Sequence, residues 1–183
     1  MEKDILFFGI QGSGKGTQAK LLAEREGMII FETGAELRKV RKEESELGNI
    51  VREIIDRGDL VPNEIVMDIV RHFLENTPEN ARIIFDGIPR SMPQKETFDA
   101  LLAKKGRQAL CLFLDVPEEE VVIRMRERGR EDDTEVVIRK RIENYKNETI
   151  PVLRAYEKEG SFVAINGNQL LEAVAEDIQK ALM

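Results

Sequence analysis

The chain is 183 residues long, 42% hydrophobic and 34% charged, with a formal net charge of −7. Length and composition describe one soluble domain able to bury an ordinary core. The acidic balance excludes a broad basic surface for a nucleic-acid backbone or an anionic membrane, so a polyanionic ligand must find a local cluster of arginines and lysines.

An apolar strand, Ile5 to Phe8, runs into Gly9-Ile10-Gln11-Gly12-Ser13-Gly14-Lys15-Gly16-Thr17. That is the spacing of a phosphate-binding loop, in which glycines keep side chains away so that backbone N–H groups face an anion. A helix beginning near Lys15 adds its unsatisfied N–H groups and dipole, and the ammonium adds a full charge. A chance match of a short pattern is the plain alternative. Here the match sits between an apolar strand and a helix, where the mechanism requires it. Ser or Thr usually follows the lysine to meet Mg2+; that position is Gly16, and the hydroxyl comes one residue later at Thr17.

The helix continues to Glu26, with Ala19, Leu22 and Ala23 on one face and Gly27 as its stop. Met28 to Phe31 reads as a short buried strand. Helices over Gly34 to Lys42 and Ser45 to Arg57 follow, the second ending at Gly58. Asn63 opens a helix carrying Val66, Ile69, Val70 and Phe73 at helical spacing. His72, on that helix, has no second ligand candidate nearby and is given no role. Ala81 to Asp86 is a clear buried strand, and a helix from about Met92 to Ala103 leads to the strand Ala109 to Asp115. Pro117 and the acids Glu118 to Glu120 start a helix that places Arg124 and Arg128 on one face. Gly129 breaks it. Asp132 with Glu135 resembles a capping box for the next helix, which carries Arg141, and Asp132 and Asp133 read as simple caps. Pro151 starts or kinks a helix to Glu159, Ser161 to Asn166 is the last strand, and a closing helix begins near Leu170.

Short apolar strands alternating with helices predict an α/β fold with a parallel sheet covered on both faces. Ligands in such sheets bind at the carboxyl ends of the strands. The single cysteine, Cys111, rules out an internal disulfide or a four-cysteine zinc site and reads as a small buried apolar residue. No apolar run reaches membrane-spanning length and no basic-then-apolar leader opens the chain, so a cytoplasmic protein is expected.

Arginines collect at the strand ends. Arg38 follows the second strand, Arg90 the third, and Arg124, Arg128, Arg130 and Arg141 flank Gly129. Planar, permanently charged guanidinium groups suit phosphate. So many of them predict two phosphorylated substrates meeting head to head, with Arg126 and Arg139 left as ordinary surface residues. Asp86, ending an apolar strand beside the loop, is where a carboxylate would hold Mg2+, through water. Its plain alternative is a turn residue before Gly87. Asp115 has the same local pattern and reads as structural.

Together these motifs resemble the adenylate kinases of the nucleoside monophosphate kinase family, from end to end. The markers are the loop with Gln18, Thr33-Gly34-Ala35-Glu36-Leu37-Arg38, Gly58-Asp59-Leu60-Val61-Pro62, Asp86-Gly87-Ile88-Pro89-Arg90 with Gln94, and Arg128 to Asp133 leading to Arg141. Gly16-Thr17 is the family's own form of the loop. The resemblance implies a P-loop three-layer fold around a five-stranded parallel sheet. In one domain of 183 residues it places a core (1–31, 62–126 and 134–183), an NMP-binding insertion (32–61) and a short lid (127–133) without zinc.

The implied reaction is reversible phosphoryl transfer from ATP·Mg2+ to AMP, giving two ADP. The resemblance assigns Gly12, Ser13, Gly14, Lys15, Gly16, Thr17, Arg124, Arg128 and Gly167 to ATP. It assigns Thr33, Arg38, Asp59, Leu60, Val61, Gly87, Ile88, Pro89, Arg90, Gln94, Arg130 and Arg141 to AMP. Lys15, Arg90, Arg128, Arg130 and Arg141 are the catalytic set around the transferring group, with Asp86 for Mg2+. ATP and AMP or ADP are the expected partners of a monomer, with no nucleic acid and no membrane. Three positions depart from the family pattern: Ala35 where aspartate is usual, Glu32 where serine is common, and Ile88 in place of an aromatic. A UMP/CMP kinase on the same fold is the alternative. Relatives of that kind tend to carry alanine at the Thr33 position and asparagine near Gln94, and the Gln94 amide can both donate to and accept from an adenine edge. A nucleotide-dependent switch would want a water-positioning residue, and a GTPase an N-K-x-D motif; neither is evident.

Overall fold

Five parallel strands form one sheet in the order β2-β3-β1-β4-β5, in a computed structural model that describes residues 3–130 and 133–182. The strands are β1 (Asp4–Phe8), β2 (Ile29–Glu32), β3 (Ile83–Asp86), β4 (Ala109–Asp115) and β5 (Phe162–Asn166). They are short, apolar and rich in Ile, Leu and Phe because both faces are covered, so alternate residues all find a core. In β1, Leu6 and Phe8 pack on one side with Phe31, Phe85 and Phe98, while Ile5 and Phe7 pack on the other with Ile84 and Leu112.

Each face has its own helices. The Ile5 face is covered by α1 (Lys15–Glu26) and α9 (Leu171–Leu182), through Ala19, Leu22, Val174 and Ile178. The Leu6 face is covered by α4 (Asn63–Glu75), α5 (Met92–Lys104) and α8 (Ile150–Lys158), through Val66, Val70, Phe98 and Val152. Outside these layers α2 (Thr33–Arg41) and α3 (Glu46–Asp56) pack on each other beyond the end of β2. A third apolar cluster joins α6 (Glu118–Arg128) to α7 (Glu135–Asn144) through Val121, Met125, Ile138 and Ile142.

Between α7 and α8 lies a π-helical turn, Tyr145–Thr149, which no sequence period announces. Pro151 sits in the first turn of α8, where its missing N–H costs nothing. The cap of α7 is Thr134, whose Oγ accepts from Val137 N at 3.4 Å. Asp132, expected to cap it, lies outside the described residues, and Asp133 is engaged elsewhere. Cys111 is fully buried as expected, and burial pushes its thiol well up.

The end of the sheet opposite the carboxyl termini is closed by one buried ion pair. Asp4 is 2% exposed. Its Oδ1 accepts from Ile83 N at 2.8 Å, and Arg107 grips both oxygens, at 2.6 and 2.7 Å. Removing the carboxylate would leave Ile83 N unpaired and the largely buried guanidinium with only the carbonyls of Glu79 and Ala81. Asp4→Ala should therefore cost about 3 kcal/mol or more of stability, read from the urea midpoint. A loss below ~1 kcal/mol would show that water reaches the pair.

Candidate active site

The strand order places β1 between β3 and β4, so the residues past Phe8 emerge at the point where the chain's connections diverge to either side. The loop there is pressed against its neighbours. A Cβ on Gly9 would lie 2.8 Å from Leu114 O, and one on Gly12 would lie 2.9 Å from Met125 Cγ and 3.0 Å from Val121 O. Both residues also have positive φ, so a side chain fits neither in space nor in backbone conformation. Gly14 caps α1 without any side chain, and the first N–H groups of α1 have no carbonyl a turn behind them. An anion can take their place.

Lys15 folds over this loop, with Nζ donating to Gly9 O at 2.7 Å and Ile10 O at 3.0 Å. Burial lowers its pKa to about 8; Asp86 opposes that shift, while Arg90 and Arg128 add to it. Asp86 ends β3, opposite Phe7 of β1 and Glu32 of β2. Its burial raises its pKa, Lys15 opposes, and the neighbouring Glu32 raises it further.

Arg90 is pinned through its main chain. Its N donates to Gln94 Oε1 at 2.8 Å, and its carbonyl accepts from Thr149 Oγ1 at 2.9 Å. Its side-chain Nε donates to Gly87 O at 2.7 Å. Burial, with Arg141 and Arg38 close by, lowers its pKa against the pull of Asp86. Gln94 is buried, and with one lone pair of Oε1 taken by Arg90 N it keeps its Nε2 donors and a second lone pair for a base edge. Thr33 is buried too, and its Oγ1 has no protein partner; the same holds for Ser13 Oγ.

The remaining arginines are held by carboxylates. Arg124 Nε lies 2.8 Å from Glu120, one turn behind it, and Arg38 Nη2 lies 2.8 Å from Glu32. Asp133 is the hub. It takes Arg128 Nε and Nη2 at 2.9 and 2.8 Å and Arg141 Nη1 at 2.9 Å, with its own side chain fully buried. The reading of Asp133 as a cap is therefore corrected: Thr134 supplies the cap, and two guanidinium groups outbid a helix end for the carboxylate. Arg130 makes no ion pair with a described residue. Its pKa is lowered by partial burial and by Arg128 and Arg38. Arg126 and Arg139 are surface residues by Glu135, as expected.

A cleft of about 460 Å³ opens over the loop. Eight cationic side chains line it, Lys15, Lys20, Arg38, Arg90, Arg124, Arg128, Arg130 and Arg141, against the acids Glu32 and Asp86. A smaller cavity of about 80 Å³ adjoins it, lined by Gly58, Asp59, Leu60, Gly87 and Pro89 with Tyr145 and Thr149. Lys15, Arg90 and Arg141 line both. Val61 and Ile88 are buried and line neither cavity. Gly167, just past β5, packs on β4: its N donates to Asp115 O at 2.8 Å, and a Cβ would strike Val116 at 2.6 Å.

Among the described residues no group of three His, Cys, Asp or Glu side chains could form a metal cage. A lone buried carboxylate, its Oδ2 3.5 Å from where a Cβ on Gly16 would stand, suits a hydrated Mg2+ that arrives on phosphates. Among the described residues no helix is long and apolar enough to cross a membrane. Glu120, Asp133, Asn144 and Thr149 were not singled out from the sequence as site residues. For Asp133 the only signal was its place between Arg128 and Arg141.

Comparison with known proteins agrees with the geometry. A family model described as "Adenylate kinase" matches residues 7–161. A protein of Bacteroides fragilis named "Adenylate kinase" is 39% identical over 98% of this chain and 97% of its own length. One of Phocaeicola vulgatus with the same name is 39% identical at the same coverage, and "Adenylate kinase 1" of Synechocystis is 38% identical over 98% of this chain and 97% of its own.

The lowered pKa of Lys15 has a sign. The ammonium is charged below its pKa and loses its proton as pH rises through about 8. Affinity for a nucleoside triphosphate, measured by calorimetry, should be level below that pH and fall above it, levelling off as the bound anion pulls the pKa back up. A flat profile to about pH 10, near the ordinary lysine value, would show that burial does not lower the pKa of Lys15 in the free site.

Proposed function

The chain belongs to the adenylate kinase family, and from that premise we propose which of its residues carry the reversible transfer of a phosphoryl group from ATP to AMP, giving two ADP. One observation supports the reading above the others: Lys15, Arg90 and Arg141 line both cavities, so groups held in the two meet at a single cationic wall. The larger cleft, with the 12–17 loop, Arg124 and Arg128, receives ATP, and Gly167 borders its base. AMP is received by the smaller cavity, with Asp59, Leu60, Gly87, Pro89 and Arg90, together with the Arg38 side of the larger cleft, and Thr33, Val61, Ile88 and Gln94 stand behind these linings.

Phosphoryl transfer through a loose transition state asks a protein for alignment and positive charge more than for a nucleophile. Arg90, held at both ends of its backbone, supplies a fixed guanidinium at the junction. Arg128 and Arg141, gathered on Asp133, supply two more, and Arg130 follows them. Asp133 thus acts as a positioning residue for the lid arginines. Asp86, with Thr17, would hold Mg2+ through its water shell; the ion supplies charge neutralisation on the phosphates when bound.

Residues 32–61 form the acceptor-binding insertion in this reading, and residues 127–133 form the short lid. The smaller cavity is too small for a nucleotide, so AMP enters when α2 and α3 swing away from α7. Gly58, which packs on Val137 and whose carbonyl accepts from Asn144 Nδ2 at 2.9 Å, marks the seam. The working unit in this reading is a monomer. A chain acting on these nucleotides belongs where they are pooled, in the cytoplasm.

No observation favours the alternative UMP/CMP acceptor. A coupled assay with ATP and each of AMP, CMP, UMP and GMP should show AMP as the preferred acceptor. Comparable turnover on CMP or UMP would sink the AMP assignment, and ATP hydrolysis without an acceptor would sink the kinase reading. Gln94→Ala should raise KM for AMP more than KM for ATP; equal rises would place Gln94 outside the acceptor site. Asp133→Asn should lower kcat about 10- to 100-fold by loosening Arg128 and Arg141, with KM for AMP little changed. Loss of activity that simply tracked a fall in Tm would make Asp133 a structural residue instead.

A further inference from the structure

Glu32 lines the cleft beside Asp86, and phosphoryl transfer gives it no task. It ends β2 and stands as the N-cap of α2, yet its carboxylate makes no capping bond. It turns instead to Arg38, placing Oε1 2.8 Å from Nη2. The other terminal nitrogen, Nη1, lies over Gly34, where a Cβ would come within 3.0 Å of it. Arg38 is therefore held between the bare first turn of α2 and an internal anion. Both side chains of the pair are 32% exposed, so an incoming ligand can reach it.

We propose that Glu32 is a built-in competitor for the acceptor phosphate, occupying Arg38 until AMP arrives and so setting the KM for AMP. The proposal rests on the placement of Arg38 in the AMP site given above. A guanidinium paired with a carboxylate presents an approaching anion with the field of a dipole, not of a full charge. AMP must then displace Glu32 or bind beside it, and like charges in a partly buried site repel. Asp86, opposite Glu32 in register on the next strand, places a second carboxylate on the same side. ATP, gathered by the 12–17 loop and Lys15, does not depend on Arg38 in this reading, although Glu32 lines the same cleft. Weaker binding shared by ground and transition states raises KM and leaves kcat in place. Glu32 thereby selects how much AMP is needed to fill the site.

The test is a double-mutant cycle on Glu32→Gln and Arg38→Gln, read by calorimetric Kd for AMP without ATP and by KM for each substrate. Glu32→Gln keeps the size of the side chain and removes its charge. It should lower Kd and KM for AMP about threefold or more, with KM for ATP moving less than about twofold. Glu32→Ser should show the same gain, tying it to the carboxylate rather than to the amide. In the Arg38→Gln background the gain should shrink to what relief of direct repulsion alone gives, and an undiminished gain would show that Glu32 does not act through Arg38. Unchanged or weaker AMP binding in both Glu32 variants overturns the proposal, because Glu32 would then be orienting Arg38. If Arg38→Gln itself leaves AMP affinity unaltered, the placement of Arg38 falls, and the proposal falls with it.

Discussion

Mutual repulsion among cations is the constraint around which this structure is arranged. The chain as a whole carries a formal charge of −7, yet its cleft gathers eight cationic side chains against two acids. Such a cluster is unfavourable unless a polyanion or internal carboxylates offset it. The protein supplies a carboxylate for four of the eight: Glu32 for Arg38, Glu120 for Arg124, and Asp133 for both Arg128 and Arg141. Lys15 has Asp86 near it, and its own bonds go to backbone carbonyls. These pairs keep the site assembled before substrates come.

The scaffold makes that assembly affordable by separating packing from charge. Both faces of β1 are dry, one against α1 and α9 and the other against α4, α5 and α8. Polar groups are left to the carboxyl ends of the strands, where Glu32, Asp86 and Asp115 stand in register with strand-end neighbours. At Gly9 and Gly12 the loop after Phe8 is pressed so closely on Leu114 and Met125 that no side chain fits there.

Much of this was legible in the sequence because it depends on local rules. Strands buried on both faces show as unbroken apolar runs, and the loop shows as a glycine spacing fixed by sterics. The arginines of the site could be placed because parallel sheets bind ligands at one end. What could not be read depends on pairings between distant residues. Asp133 looks like a helix cap because its partners, Arg128 and Arg141, are brought to it only when α6 and α7 pack. The π-helical turn has no period of its own, so the bond from Thr149 to Arg90, across 59 residues, leaves no mark in the sequence. Gln94 was legible as an amide near a base site; that its Oε1 accepts from Arg90 N was not.

The clamp of Asp4 by Arg107 and Ile83 N lies at the far end of the sheet from all of these charges. That distance has an evolutionary meaning. Changes of charge at the rim of the cleft, as at Glu32, alter electrostatics where cations are already crowded. A reserve of folding free energy anchored at the opposite edge can absorb their cost without touching the chemistry. The fold can thus drift in substrate affinity while its thermal tolerance is adjusted separately, one edge of the sheet serving each kind of change.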